Sequence, residues 1–452
     1  MGLRDRLVGL AIRDVVPVFA VVGVGGRRLA DDLPLVPGVE VVDSPRAAHL
    51  LLLIGRPTRA LLAGLLAAHD QLASPRGSVW WPVPALDGAR PDAEHLLAAL
   101  PEVVTSRPGD PDGLRAVFAE LLGGARPSAA PVLLDMPPAK WRGVGPYGTG
   151  GEGMMGGVPY GRPMAMTAAD PDGLELDQLH LQVGPMLAPL PAGLILDLEL
   201  QGDVIRTAAV GDNPYRAWPG DPPPGPLDTD CFLAAATAPA SVAALEVARA
   251  AHHLRAVARM LRLRGLGARG LRVLDLARAI GVADRGAVEA LAASLGRSRS
   301  LGSALAGVGV VDADTACSVG GPVARAAGFA TDARLDDPGY RGLAFEPVTH
   351  DADDARARFL QRLAEAGQAL ELAERSGDRR REPGSPLEGP RGSITPGAPL
   401  PSAALIALLP QLLAGQEWGD AMTTVVSLEL DVEEAAATAP LRMPSIATEV
   451  GG

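Results

Sequence analysis

Residues 15–26 read Val15-Val16-Pro17-Val18-Phe19-Ala20-Val21-Val22-Gly23-Val24-Gly25-Gly26, and residues 50–55 read Leu50-Leu51-Leu52-Leu53-Ile54-Gly55. Each is a short apolar run closed by glycine, the pattern of a strand buried on both faces. Working outward, residues 39–42 form a further short strand. Leu61, Leu62, Leu65 and Leu66 then recur at helical spacing between Arg56 and Gln71, and residues 79–83 return to strand. Strand and helix alternating over short links is the mark of a parallel sheet with crossover helices. A second amphipathic helix is expected over 112–122. Residues 1–125 therefore read as an α/β domain.

Beyond it the texture changes. Residues 126–170 carry a crowd of glycines with Met154, Met155, Met164 and Met166. The glycine spacing matches neither a P-loop nor a dinucleotide fingerprint, and no Lys-Ser/Thr pair follows, so the stretch reads as a linker. In 171–210, Leu194, Leu196, Leu198 and Leu200 alternate with Ile195, Asp197 and Glu199 before the turn at Gln201-Gly202-Asp203, which predicts a small antiparallel sheet. Residues 212–227 are a proline-rich loop. Residues 238–300 read as helical, with Val247, Ala251, Leu254, Ala258 and Leu261 on one face and His252, Arg255, Arg259 and Arg262 on a solvated one. A further helix is expected over 353–375, a Gly/Pro/Arg linker over 377–401, a helix over 402–413 and a strand over 423–430. The second domain is thus 171–435, followed by a tail, 436–452.

Composition narrows the function. The chain has 452 residues, is 47% apolar and carries a net charge of −12. An acidic chain with scattered arginines repels phosphate backbones, so no nucleic-acid partner is expected. Lysine occurs once, at Lys140. Cys231 and Cys317 form neither a disulfide framework nor a ligand set, and both read as packed or half-buried thiols in a cytosolic chain. No signal peptide is legible at the start. The longest apolar stretch near the end, 403–414, is about twelve residues against the roughly twenty that span a bilayer. No transmembrane segment is expected.

Two groups of motifs carry a family resemblance. Ser44-Pro45-Arg46-Ala47-Ala48, Leu50–Ile54, Gly55, Thr58, Leu65, Asp70-Gln71 and Pro75-Arg76 resemble the B-type subunit of complex I, the NADH-quinone oxidoreductase component that carries a terminal 4Fe–4S cluster. Gly307-Val308-Gly309-Val310, then Gly320-Gly321-Pro322-Val323-Ala324-Arg325-Ala326-Ala327-Gly328, resemble the D-type component, which derives from the nickel–iron hydrogenase large subunit. Asp354, Arg358, Phe359, Leu360 and Arg362 fall on that family's helix start, residues 413–429 resemble its C-terminal block, and Gly184-Pro185 stand where it has a histidine-bearing loop. The resemblance implies the two components fused end to end, α/β plus α+β. The first half would be a flavodoxin-like parallel-sheet layer, the second a hydrogenase-large-subunit-like helical bundle with a small antiparallel sheet.

The redox residues of that family are missing. A 4Fe–4S cluster needs thiolates, and residues 1–230 contain no cysteine, although the resemblance puts the cluster ligands around 21–26 and near Trp81. No C-x-x-C pair exists for nickel and iron. The loop that in the family offers a quinone-site histidine reads Gly184-Pro185-Met186-Leu187-Ala188-Pro189-Leu190, and no tyrosine lies between Tyr215 and Tyr340. Proton donors of that kind are therefore absent. His252 and His253 are adjacent and cannot chelate as an i, i+4 pair. His69-Asp70 reads as helix surface, and Asp354, Arg358 and Arg362 as an ion-pair network that orders a helix.

The expectations are accordingly no catalytic residue, no cofactor and no metal ligand. Structural motif positions are expected at Gly184, Pro185, Gly321, Pro322, Arg325, Asp354, Arg358 and Arg362. The function implied is a non-catalytic quinone-module paralogue, a structural or regulatory component of a complex I-like or membrane-hydrogenase-like assembly. Its partners would be membrane-arm or other complex I-like proteins, with the chain cytoplasmic and peripheral at the inner face of the plasma membrane. The alternatives are a free-standing protein that binds a quinone or other small ligand, and an oxidoreductase component that uses a partner's cofactor.

Overall fold

The computed structural model describes residues 15–83, 90–134, 166–169, 173–216 and 227–440. The Gly/Met stretch 143–161 and most of the Pro-rich loop fall outside them, as does the tail beyond 440. In the first unit β1 (Val16–Val22), α1 (Arg27–Asp32), β2 (Val39–Val41), β3 (Leu50–Ile54), α2 (Arg59–Gln71) and β4 (Gly77–Trp81) follow in order. They are succeeded by α3 (Arg90–Leu97), β5 (Val104–Thr105) and α4 (Pro111–Gly123). The five strands pair in the order β2-β1-β3-β4-β5, all parallel. That is the flavodoxin-like order. Strands β3 and β4 are buried along their whole length because helices cover both sheet faces, which is why their sequences run apolar without alternation. Thr58 caps α2 by accepting from the Leu61 N–H, and Asp110 caps α4 by accepting from the Asp112 N–H.

The second unit opens with the antiparallel sheet β6 (Met166–Ala169), β7 (Glu175–Val183), β8 (Leu196–Gln201) and β9 (Val204–Val210). The sheet starts inside the stretch expected to be linker, because Met166–Ala169 pairs with β7. There follow α5 (Asp230–Thr237), β10 (Ala240–Ser241), α6 (Val242–Leu263), α7 (Gly267–Ala279), α8 (Arg285–Gly296) and α9 (Arg299–Leu305). The chain continues through α10 (Ala313–Val319), α11 (Gly321–Ala326) and α12 (Ala355–Ser376). It ends with the two-residue strands β11 (Arg380–Arg381), β12 (Leu387–Glu388) and β13 (Ser393–Ile394), then α13 (Pro401–Ala407), α14 (Leu409–Leu413), α15 (Trp418–Leu428) and α16 (Val432–Ala435).

Three readings of the sequence are corrected here. Residues 377–401 are not a loose linker: β11 pairs with β10, β12 with β13, and Arg381, Glu388 and Arg391 are buried. Arginines satisfy the irregular backbone, since Arg249 donates to the carbonyls of Glu388 and Gly389 at 2.7 and 2.8 Å. The 423–430 stretch is helix through Leu428, not strand. Its Thr-Thr-Val-Val run suggested β structure, but Thr423 and Thr424 donate back to the Gly419 and Asp420 carbonyls, so buried hydroxyls are absorbed within the helix. The polar face of α6 is not solvated: His252, His253, Arg249 and Arg255 are all buried. That helix runs through the middle of the molecule, between α12, α7, α15 and the first unit.

The two units share one core. Leu51, Leu65 and Trp80 of the α/β unit belong to the same apolar cluster as Leu194, Leu198, Leu409 and Val425. Among the described residues no helix is long and apolar enough to cross a membrane.

Candidate functional site: a buried charge seam

Open α/β sheets bind ligands outside the carboxyl ends of the strands where the order reverses, here between β1 and β3. Four glycines shape that point. The Gly23 N–H donates to the Ile54 carbonyl at 2.7 Å, and Val24 and Arg56 exchange backbone bonds at 2.8 and 3.0 Å. A Cβ on Gly23 would lie 2.3 Å from the Arg56 carbonyl oxygen, and one on Gly26 2.1 Å from that of Ile54. The crevice is closed by the second unit. Both carboxylate oxygens of Glu433 accept from the Gly25 N–H, at 2.9 and 3.0 Å, and the Tyr215 hydroxyl donates to the Val22 carbonyl at 2.9 Å. The chain's own carboxylate therefore sits where this kind of fold would take an anion.

Around it lies the seam. Glu429, the left-handed residue that ends α15 (φ 60°), is ringed by Arg259, Arg391, Arg27 and Arg362 at 2.7, 2.8, 3.5 and 3.7 Å. Arg391 also reaches Glu434 at 2.6 Å, Arg27 reaches Asp431 at 3.0 Å, and Arg259 and Arg255 bridge to Asp31 and Asp32 on α1. Burial alone would raise the Glu429 carboxyl, but Arg391 and then Arg362, Arg259 and Arg27 hold it well below the carboxylate range. Glu433 goes the other way: burial first, then Asp431, push it up to about 8.

A second network fills the space between α6, α11, α12 and the 380–391 segment. Arg325 grips Glu365 with two bonds of 2.7 and 3.1 Å, and reaches Glu388 at 2.8 Å and Asp332 at 3.1 Å. Arg334 bridges Asp332 and Glu246, to which Arg249 and the Tyr340 hydroxyl also bond. His253 lies 2.9 Å from Glu365, yet burial pushes its imidazole down to about 4, so it is neutral. Burial and then Asp332 raise the Glu388 carboxyl, in a network where three guanidinium groups face four carboxyls.

The motif residues divide accordingly. Arg325 and Arg362 join the two networks through His253, Glu365 and Glu429. Among the described residues, Arg358 enters no ion pair. It donates to Ser427 Oγ and to the Gly309 and Asp353 carbonyls, and burial pushes its guanidinium down to about 10 against the pull of Asp354. Asp354 instead caps α12, accepting from the Ala357 N–H, and accepts from the Gly307 N–H at 2.7 Å. Gly321 (φ 61°) starts α11 with Pro322 behind it, and a Cβ there would lie 2.3 Å from the Arg391 carbonyl oxygen. Gly184 and Pro185 stand apart, in the β7–β8 connection. The Met186 that follows packs on Gly64 of α2, so the apolar loop is a wedge between the units.

Three minor expectations fail. His69 is buried, not on a helix surface, and its Nδ1 lies 2.9 Å from Asp70, whose carboxylate also accepts from the Val132 and Leu133 N–H groups. Cys231 and Cys317 are exposed rather than packed. Cys317 lies on the wall of an open cleft of about 880 Å³ lined by Val319, Leu335, Pro386 and Leu400 together with Asp332, Asp336 and Glu388. The seam acids Asp31, Asp32, Asp431, Glu433 and Glu434 are missed by the sequence reading; the dense acidic run at 429–434 is a signal for the last three. The positions to which the resemblance assigns a cluster do not fit one: the glycine contacts above leave no space for thiolate side chains at Gly23 or Gly26, and the donor types are wrong.

Residues 284–394 match the family model described as respiratory-chain NADH dehydrogenase, 49 Kd subunit. The D 1 subunits of NADH-quinone oxidoreductase from Salinispora tropica and from Salinispora arenicola are each 44% identical to this chain over 78 residues, 16% of this chain. The matched stretch spans only 18% of the length of these curated relatives. The membrane-bound sulfane sulfur reductase, an archaeal respiratory membrane complex, contains a chain that aligns over 58% of this one and 99% of its own length, at 18% identity and a TM-score of 0.47. The C-terminal part of the chain thus carries a domain similar to the 49 Kd component of the respiratory NADH dehydrogenase.

Proposed function

We propose that this protein is a non-catalytic component of a complex I-like or membrane-hydrogenase-like assembly, in which B-type and D-type halves are fused into one docking block. The domain division is 1–125 and a second unit that runs from the Met166 strand to 435, and the eight motif positions serve to shape the fold. No cofactor is held. The observation that carries this reading is the closed switch point: Glu433 and Tyr215 fill the place where the α/β half would present a ligand, and Met186 fills the loop where the D-type half would present a proton donor. Fusion raises the effective concentration of the halves and locks their relative pose. Partners would be membrane-embedded proteins of the assembly, which place the chain at the cytoplasmic face of the membrane.

Purification from the native host in mild detergent tests the assembly role. Membrane-embedded partners are expected to co-purify in fixed ratio. Recovery only as a free monomer would favour a free-standing ligand-binding protein instead. Anaerobic reconstitution tests the cofactor side. Iron and sulfide are expected at background levels, and a stoichiometric cluster with a matching EPR signal would end the reading.

A further inference from the structure

We infer that the groove between α7 and α8 is a docking site for an acidic amphipathic helix of another polypeptide. The inference does not rest on the assembly role above. Residues 262–299 hold eight arginines against Asp275, Asp284 and Glu289, in a chain whose net charge is −12. Arg278 pairs with Asp275, and Arg285 with Glu289 and Glu374. Among the described residues, the exposed Arg269, Arg272, Arg297 and Arg299 make no ion pair, whereas the arginines of the seam are all engaged. Arg269 and Arg272 of α7 are thus uncompensated beside the groove, with Arg297 and Arg299 just beyond α8.

Between the two helices runs an open groove of about 470 Å³. Its floor includes the half-buried Leu276 and Leu291, Arg269 and Arg272 stand on the α7 wall, and Ala287 and Ala290 on the α8 wall. Each feature selects the same occupant. Alanine walls let the backbone of a third helix come close, and the leucine floor takes apolar side chains at i, i+3 and i+4. Arg269 and Arg272 are one turn apart, so they present guanidinium forks to carboxylates spaced by a turn on the incoming helix. A bilayer surface would meet the arginines but leave the concave floor unfilled, which is why a peptide is favoured over anionic lipid.

The test uses the full chain and a fluorescein-labelled synthetic helix with leucines at i, i+4 and i+7 and flanking glutamates, read by anisotropy. Saturable binding is expected, weakened at least about tenfold by roughly 0.5 M salt because exposed charges are screened. The double variant R269E/R272E is expected to bind at least about tenfold more weakly, a loss read directly as a ratio of Kd values. Ala290→Trp, which fills the groove and keeps the arginines, is expected to bind as poorly. Both sites are exposed, and an unchanged unfolding curve for each variant checks that folding is intact. Binding should slow amide exchange in 267–296. Absence of binding, equal binding of the lysine-for-glutamate peptide, or an unaffected Ala290→Trp variant would overturn the inference. So would capture of phosphatidylglycerol vesicles in place of the peptide, or a self-association abolished by R269E/R272E.

Discussion

Buried arginines do two different things in this molecule, and the difference is measurable. Arg325 is enclosed by Glu365, Glu388 and Asp332, so its removal strands carboxylates that have no water to turn to. Arg325→Ala is expected to cost about 3–5 kcal/mol in urea unfolding, the cost of breaking a buried ion pair from one side. Arg358 bonds neutral groups, so Arg358→Ala removes the donor to the Gly309 carbonyl while Ser427 Oγ and the Asp353 carbonyl keep other partners, and it is expected to cost about 1–3 kcal/mol. Equal losses would show that the ion pairs add nothing. Glu433 makes a separate prediction. Its folded value, about 8, lies above the ordinary carboxyl value, so folding favours the protonated form. The stability it contributes is complete below about pH 4, the unfolded titration, and is lost as pH rises through 8. Glu433→Gln keeps an acceptor for the Gly25 N–H and cannot ionise. Unfolding followed at several pH values should show the variant's decline from pH 5 to 8 flatter than wild type by on the order of 3 kcal/mol. Parallel pH profiles would rule the assignment out.

Secondary-structure elements were legible where periodicity met a single environment. Strand β3 and helix α2 follow the residues expected because an unbroken leucine run and a leucine stripe each admit one burial pattern. Helix α15 was not legible, since Thr423, Thr424, Val425 and Val426 favour strand locally and only tertiary burial makes them helix. The 377–401 segment failed for a related reason. Its Gly/Pro content kept it to two-residue strands, but nothing local says that Arg249 will donate to its Glu388 and Gly389 carbonyls in the core. In the seam, Arg362 of α12 was legible but not its meeting with Glu429, because partners far apart along the chain leave no spacing to read. Glycines were legible only as a type. Gly184 sits at φ 92° with the Leu194 carbonyl oxygen 1.8 Å from a would-be Cβ, whereas Gly109, at φ 75°, has nothing within 4 Å. Gly109→Ala should therefore cost about 1 kcal/mol, the backbone term alone, and Gly184→Ala more than about 2 kcal/mol. Thermal unfolding of the two variants side by side checks this, with equal shifts as the contrary result.

At the scale of the whole molecule the question is whether two units behave as one. Chains of this length commonly unfold domain by domain through populated intermediates. Here the units share an apolar cluster that reaches from Leu51 and Trp80 to Leu409 and Val425, and the charge seam crosses the same boundary. Separating them would expose that cluster and take Arg27 away from Glu429 and Asp431. Both costs fall on any state with only one unit folded, so such a state should stay unpopulated. Urea unfolding is thus expected to give coincident transitions by tryptophan fluorescence, to which Trp80 and Trp81 of the first unit contribute, and by far-ultraviolet circular dichroism, dominated by helices of the second. Arg27 supplies the means to break the coupling. It projects from α1 and touches the Leu430 carbonyl, Glu429 and Asp431, all in the other unit. Arg27→Glu puts a carboxylate against two others and removes a bond across the boundary, while leaving each unit's own core intact. The two probes should then separate, with the α/β unit melting first because its sheet loses the cover over its carboxyl-end crevice. Coincident transitions in the variant as in wild type would mean that apolar burial alone joins the units and the seam only tolerates its charges.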